Sequence, residues 1–301
     1  MRKIVQCVPN ISEGRNLELV EAVVNSIRGI ADVKLLDWSS DADHNRSVIT
    51  FVGTPDGVEK AAFNLCAKTA ELIDMTAHKG GHPRMGATDV IPFIPIQGVT
   101  MDDCVQLANR VGKRIGEDLG IPVYMYESAA KTPSRRNLAD VRRGQYEGLP
   151  TKMAREDGKP DYGPVEFNAK SGATAVGARM PLVAFNVNLA TDNLEIAQKI
   201  ARNVRHAGGG LKAVKAMGVK LEARGIVQVS MNMVNYQETP LYRAVELIRA
   251  EARRYGVNII GSEIIGLVPL EALVGSLDYY LGLEGFHPAQ ILETRLWTDE
   301  D

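Results

Sequence analysis

Phe185-Asn186-Val187-Asn188-Leu189-Ala190-Thr191-Asp192-Asn193-Leu194-Glu195 alternates apolar and polar positions, turns through a polar step and opens an apolar-periodic run at an Asn. That is a strand leading into a capped helix. From Pro181 onward the pattern gives strand 181–189, helix 193–206, a Gly208-Gly209-Gly210 break, helix 211–217, strands 218–222 and 226–234, helix 240–255 and strand 257–266. Apart from the extra helix after the glycines, this order is βαββαβ. Cys7-Val8-Pro9-Asn10-Ile11 followed by Asn16-Leu17-Glu18 repeats the same device near the start of the chain. There the pattern gives strand 3–9, helix 16–28, strands near 33–38 and 46–53, helix 56–73 after Thr54-Pro55, strand 89–96, helix 101–119 from Thr100 and Asp103, and strand 122–127. Two copies of one α/β subdomain are therefore expected, over 1–178 and 179–301, with a ligand cleft between them. Residues 128–178 carry Pro133, Pro150, Pro160 and Pro164 with six glycines and read as a long loop and short-helix connector. Met231, Met233 and the apolar stretch 264–274 read as core, and Asp299-Glu300-Asp301 as a frayed tail.

Composition narrows the class of function. The chain has 301 residues, 45% hydrophobic, with 37 acidic against 35 basic side chains, so no global field favours nucleic acid. Cys7, Cys66 and Cys104 fit neither a disulfide framework nor a clustered zinc site. The N-terminal apolar run is broken at Gln6 and Pro9, and no apolar stretch reaches the roughly 20 residues needed to span a bilayer. A cytoplasmic enzyme with no membrane partner is expected.

Titratable groups gather in Thr76-Ala77-His78-Lys79-Gly80-Gly81-His82-Pro83-Arg84-Met85-Gly86-Ala87-Thr88-Asp89. Histidine accepts and returns protons near neutral pH, and Gly81 and Pro83 would fix the backbone around it, which makes His82 the candidate base. The alternative is that His78 and His82 are plain loop residues. A zinc site is not expected, because Gly80, Gly81 and Pro83 break the helix that the His spacing would need. Asp41-Ala42-Asp43-His44-Asn45-Arg46 offers carboxylates, an amide and a guanidinium able to grip a substrate carboxylate, or simply a turn. Small residues over Asp161 to Arg179 would let backbone approach a flat ligand, or serve as a linker. Lys212, with Arg202, Arg205 and Lys215, could receive a carboxylate tail or form a solvated face.

Val8-Pro9-Asn10-Ile11-Ser12-Glu13-Gly14-Arg15, Asn45-Arg46, His82-Pro83-Arg84-Met85-Gly86, Gly172-Ala173-Thr174 through Gly177-Ala178-Arg179, Ala184-Phe185-Asn186-Val187-Asn188 and Gly266-Leu267-Val268-Pro269-Leu270 together resemble the glutamate formiminotransferase family, in its form without a cyclodeaminase domain. That resemblance implies transfer of a formimino group from N-formimino-L-glutamate to N5 of tetrahydrofolate, within histidine degradation and one-carbon metabolism. It implies two tandem ferredoxin-like subdomains with antiparallel sheets, a folate tunnel between them and a homodimer. Animal members carry a fused cyclodeaminase, so here cyclisation would fall to a separate protein. His82 matches the catalytic histidine, with Asp41 or Asp43 expected to orient it or hold the amidinium. Asn10, Asn45, Arg46 and Arg84 are expected to bind the formiminoglutamate. Gly163-Pro164-Val165-Glu166-Phe167-Asn168-Ala169-Lys170-Ser171-Gly172 matches the folate-contacting stretch, joined by Lys212, and no metal is expected. Around Asn168 to Gly172 and Asp41 to His44 the chain departs from the animal pattern. The alternatives are a glutamate formyltransferase using 5-formyltetrahydrofolate, or a folate-binding module without turnover.

Overall fold

A computed structural model describes residues 3–297 and divides the chain into two compact units, one ending at Arg179 and one beginning at Met180. The expected tail Asp299-Glu300-Asp301 lies outside the described residues.

The first unit runs β1 (Ile4–Cys7), β2 (Asn10–Ile11), α1 (Leu17–Asn25), β3 (Val33–Asp41), β4 (Arg46–Gly53), α2 (Pro55–Leu72), β5 (Thr88–Gln97), α3 (Met101–Asp118), β6 (Val123–Glu127), α4 (Leu138–Val141), α5 (Leu149–Met153) and β7 (Thr174–Ala178). Helix starts follow local chemistry. The Asn16 side chain accepts from Leu19 N–H, Thr54 caps a helix with Pro55 in its first turn, and Thr100 and Asp103 form a reciprocal capping box. The expected strand 3–9 is split at Pro9, which has no N–H for a ladder, into β1 and β2.

β3, β4, the β1/β2 pair and β5 lie in that order with antiparallel pairing, which is the ferredoxin-like arrangement. The sheet then continues. β7 pairs with β5 in parallel, and β6 pairs with β7 in parallel. The antiparallel expectation therefore describes the first four strand positions and not this far edge. Parallel strands need long crossovers: α3 leads from β5 to β6, one strand position beyond β7, and the segment 128–173 returns from β6 to β7. β7 falls inside the expected connector because Thr174-Ala175-Val176-Gly177-Ala178 lacks the bulky β-branched signature of a strand. Its residues are all buried, and a Cβ on Gly177 would stand 2.5 Å from the Tyr126 carbonyl oxygen, so small side chains are a packing requirement. Val20, Val23 and Val24 of α1, Leu65 and Cys66 of α2, and Leu107, Val111 and Ile115 of α3 pack on Phe51, Ile91 and Phe93 of the sheet.

The second unit runs β8 (Val183–Leu189), α6 (Leu194–Val204), β9 (Val214–Leu221), β10 (Ile226–Met233), α7 (Leu241–Arg253), β11 (Ile259–Ile265), α8 (Leu270–Leu281) and α9 (Leu292–Trp297). Its sheet order is β11-β8-β10-β9, antiparallel throughout, which is again ferredoxin-like. The expected helix 211–217 is instead the start of β9, where Val214 is buried and Lys215 and Met217 are exposed, the period of two that a strand demands. Met231 and Met233 are core, but in the stretch 264–274 Ile265, Leu267 and Leu270 are exposed, and only Ala272 and Val274 are buried.

In the first unit, Gly86 and Gly172 form an isolated bridge between the loop before β5 and the loop before β7. A Cβ on Gly86 would lie 2.4 Å from the carbonyl oxygens of Ser171 and Ala173. Gly86→Ala is therefore expected to destabilise the chain by about 2–4 kcal/mol, read from urea unfolding; a change within about 0.5 kcal/mol would contradict the contact.

Candidate functional site

β2 lies between β4 and β5, so Asn10, Arg46 and Asp89, far apart in sequence, meet at one end of three neighbouring strands. Arg46 opens β4 and points its guanidinium across this end. Its Nη1 donates to Asp89 Oδ2 at 2.8 Å, and its Nη2 donates to Asn10 Oδ1. Arg142, the C-cap of α4, donates through Nη2 to the same Asp89 oxygen at 2.5 Å. The other Asp89 oxygen accepts Met85 N–H at 3.0 Å. Asp89 is fully buried. Burial pushes its carboxyl up, but Arg142 and Arg46 more than offset this and hold it below the usual carboxylate range.

His82 stands half-buried beside this cluster. Its Nδ1 lies 2.7 Å from Pro83 O and 3.0 Å from Arg46 Nη1. These contacts demand opposite tautomers, since the carbonyl only accepts and the guanidinium only donates. The shorter one favours Nδ1–H donating to Pro83, with Arg46 Nη1 directing its proton to Asp89. Nε2 then carries the free lone pair, with no protein partner among the described residues. Burial, reinforced by the charges of Arg46 and Arg142, pushes the His82 pKa down to about 4, so the ring is neutral at neutral pH.

The loop around His82 is anchored at several points. Ser12 Oγ donates to Gly86 O at 2.8 Å, and Tyr146 N–H donates to Arg84 O at 2.9 Å. Arg84 makes a two-pronged pair with Glu147, at 2.8 and 2.6 Å, and donates to His78 Nδ1 at 3.2 Å. Asn45, at φ 48° in the β3–β4 turn, accepts Gly14 N–H at 2.9 Å and donates to Lys79 O at 3.0 Å. Asn10, Asn45, Arg46 and Arg84 thus surround the His82 loop, with much of their hydrogen-bonding capacity already used within the protein.

Asp41 and Asp43 differ from expectation. Asp41 takes His44 N–H and His44 Nδ1, both at 2.8 Å, and Asp43 contributes its carbonyl to Gly81 N–H at 3.2 Å. Neither carboxylate has a hydrogen bond to the His82 ring among the described residues; the His44 ring of that turn stands 6.0 Å from it, centre to centre. The carboxylate coupled to His82 is Asp89, through Arg46. An acid heading an otherwise apolar strand, Asp89-Val90-Ile91-Pro92-Phe93-Ile94, is the signal that could have found it, since a buried charge requires partners. Arg142 and Glu147 sit in the irregular connector, where no sequence period marks them.

The stretch Gly163 to Gly172 packs beside the same loop. Gly163 and Gly172 have φ of 82° and 67°, and a Cβ on Gly172 would lie 2.2 Å from Met85 O. Asn168 closes a turn by accepting Ser171 N–H at 2.9 Å, Ser171 O accepts Ala87 N–H at 2.9 Å, and Lys170 O accepts Met75 N–H at 2.8 Å. Lys170 Nζ donates to Glu71 O at 2.9 Å, and Tyr146 OH donates to Ala169 O at 2.6 Å. Phe167 meets the Tyr146 ring at 5.4 Å, while Pro164, Val165 and Glu166 lie at the outer part of the loop. Lys212 belongs to the second unit, in the turn before β9, exposed and 3.6 Å from Glu238. Among the described residues no group of three or more His, Cys, Asp or Glu is arranged to hold a metal ion, and no helix is long and apolar enough to cross a membrane.

Known proteins share this pattern along the whole chain. Residues 4–179 match the formiminotransferase domain, N-terminal subdomain, and residues 184–291 match the formiminotransferase domain. A glutamate formimidoyltransferase of Streptococcus pyogenes serotype M1 is 55% identical over 98% of this chain and 99% of its own length. One from Thermoplasma acidophilum is 50% identical over 97% of each. The formimidoyltransferase-cyclodeaminase of Gallus gallus is 42% identical over 99% of this chain and 57% of its own length.

Two pH measurements follow from the geometry. NMR titration should place the His82 ring near pH 4, and Arg142→Met, which removes one of the charges opposing protonation, should move it upward; an unchanged titration would contradict the Coulombic cause. Because the folded pKa lies below the usual 6.5, the unfolded chain binds this proton first. Stability from His82 is then fully present above about pH 6.5 and is lost as pH falls toward 4, and His82→Gln should flatten that part of the stability profile.

Proposed function

The chain belongs to the formiminotransferase domain family, and on that premise we propose that His82 is the proton shuttle of the family's transfer reaction. The activity is transfer of the formimino group from formiminoglutamate to tetrahydrofolate, a one-carbon transfer with folate as co-substrate. The observation that carries the role of His82 is its half-buried neutral ring, with Nδ1–H on Pro83 O and Nε2 open.

N5 of tetrahydrofolate attacks the formimino carbon. As that bond forms, His82 Nε2 takes the N5 proton and a tetrahedral intermediate results. The bond from the same carbon to the glutamate nitrogen then breaks, and His82 returns the proton to the departing amine, leaving 5-formiminotetrahydrofolate and L-glutamate. One proton is taken and one given, so the imidazole ends as it began and no covalent enzyme intermediate is needed.

Arg46 and Arg142 against the single charge of Asp89 leave an excess positive charge beside His82, suited to a glutamate carboxylate. Such a carboxylate would also raise the proton affinity of His82 by offsetting the two guanidiniums that depress it. Asn10, Asn45 and Arg84 hold the loop that presents the ring. Asp41 and Asp43, at the β3–β4 turn, remain able to approach the amidinium of a bound donor but are not positioned to orient His82. Folate contacts are assigned to Gly163 through Gly172, where positive-φ glycines bring backbone close to the His82 loop. The same reading makes the two units formiminotransferase subdomains of a cytoplasmic homodimer.

The purified chain, assayed with formiminoglutamate and tetrahydrofolate, should form 5-formiminotetrahydrofolate. His82→Ala should lower kcat by about 10²- to 10⁴-fold while KM for each substrate changes little; near-normal kcat would remove His82 from the mechanism. A parallel assay with 5-formyltetrahydrofolate and glutamate separates formyl from formimino transfer. Adding formiminoglutamate should raise the His82 titration midpoint in the NMR experiment, and no movement would place the carboxylate elsewhere.

A further inference from the structure

The β3–β4 turn of the first unit holds a second imidazole beside His82. Asp41 and Arg46 are the last ladder pair of β3 and β4, so Ala42, Asp43, His44 and Asn45 close the hairpin between them. Asp41 Oδ1 accepts His44 N–H, and Asp41 Oδ2 lies against His44 Nδ1, both at 2.8 Å. These bonds, the backbone one first, hold the Asp41 carboxyl below the usual carboxylate range. The turn is also fastened to the His82 loop through backbone. Gly81 N–H donates to Asp43 O at 3.2 Å, and a Cβ on Gly80 would lie 2.2 Å from His44 O, so glycine is required there. The His44 ring then meets the His82 ring edge-on, with 6.0 Å between centres and 68° between planes.

Both rings are committed in the same way. A carboxylate only accepts, so His44 Nδ1 directs its proton to Asp41, as His82 Nδ1 directs its own to Pro83 O. In each ring Nε2 is left without a protein partner among the described residues. An exposed His–Asp pair contributes little to stability, and the turn itself needs no imidazole, because Asp41 already closes it by accepting the His44 N–H.

The carbon under attack at His82 bears three nitrogens. Two of them, N5 and the glutamate nitrogen, exchange a proton with His82. The third, the formimino nitrogen, keeps N–H groups throughout and lies one bond from that carbon, so an acceptor for it must stand beside His82. The acceptors of the ion cluster are already taken, Asp89 by Arg46, Arg142 and Met85 N–H, and Asn10 Oδ1 by Arg46. We propose that His44, backed by Asp41, accepts the formimino N–H through Nε2 and so selects a formimino over a formyl donor. This rests on formimino transfer being the reaction. A formyl group puts an oxygen in the same place, with no N–H to give, and sets two acceptors against each other. Asp41 fixes the tautomer that leaves Nε2 as the acceptor of the neutral ring, and it supplies negative charge for an amidinium that Arg46 and Arg142 repel. Asp43, the other acid of the turn, is tied to the loop by its carbonyl, and its carboxylate has no hydrogen bond to aim it among the described residues.

The test compares two compounds that differ by N–H for oxygen. Dissociation constants of N-formimino-L-glutamate and N-formyl-L-glutamate are measured by calorimetry without folate, for the wild-type chain, His44→Leu, Asp41→Asn and Asp43→Asn, with thermal midpoints as the folding control. The wild type should bind the formimino compound more tightly. His44→Leu should weaken that binding by about tenfold or more, with binding of the formyl compound and the KM for tetrahydrofolate unchanged. Asp41→Asn, the second variant, should shift the ratio in the same direction by a smaller factor. Equal weakening of both compounds, as a merely distorted turn would give, an unchanged ratio in His44→Leu and Asp41→Asn, or a ratio lost in Asp43→Asn alone would each overturn the assignment. Failure of the wild-type chain to form 5-formiminotetrahydrofolate would instead overturn the transfer reading itself.

Discussion

The carboxylate of Asp89 is the constraint on which the first unit's site depends. A fully buried charge is tolerated only when its oxygens are satisfied by strong donors, and Asp89 draws those donors from three separate segments. Arg46 comes from the start of β4, Arg142 from the end of α4, and the Met85 amide from the His82 loop. Met85 of the loop and Val141 of α4 also pack into a buried apolar cluster with Tyr124, Tyr126 and Leu149, but apolar packing is non-directional. The ion cluster supplies the directionality that packing there lacks. Removing the carboxylate would leave two guanidiniums shielded from water and facing each other, so arrangement of the loop and folding of the unit are coupled.

The same cluster determines the protonation state of His82. The charge on Arg84 is met by Glu147 in a two-pronged pair, so the imbalance near the histidine comes from Arg46 and Arg142 against Asp89 alone. Positive potential and partial burial both oppose an imidazolium. In the free protein this produces a base that is ready but weak. An incoming carboxylate acts on both properties at once, because it is attracted by the charge that depresses the ring's basicity and cancels part of that charge on arrival. Substrate binding and activation of the base then share one electrostatic cause. A histidine with an ordinary pKa would be partly protonated before the donor arrived and would spend part of its population unable to accept the N5 proton.

Sequence carried the regular elements well because their signals are local. The Asn16, Thr54 and Thr100 caps and the alternation in β8 and β10 depend on neighbouring residues, and those elements lie where the pattern puts them, within a few residues. It failed where tertiary packing overrides local preference. Val214 to Met217 has helical composition but becomes strand because β10 offers it a ladder, and Thr174 to Ala178 looks like linker because close approach to Tyr126 permits only small side chains. The site divides in the same way. His82, Arg46 and Asn10 stand in stretches whose polar density is visible in sequence. The link between them is not, since Asp89 acts through a salt bridge to residues 43 and 53 positions away, and Arg142 lies in a segment with no period at all.

Both units repeat one strand order, yet they treat the edge at the fourth strand differently. In the second unit β11 remains an edge, and its register shifts between Ile259 and Gly261, an irregularity that discourages further strand pairing. In the first unit the equivalent edge, β5, is covered by β7, and that addition has a chemical consequence. Pairing β7 with β5 draws the residues just before each strand together, so Ser171 and Gly172 meet Gly86 and Ala87. No side chain fits at that crossing, which explains the glycines on both sides of it. The stretch assigned to folate thus lies against the loop bearing the base because β7 pairs with the β5 edge, a pairing that the second unit lacks among the described residues.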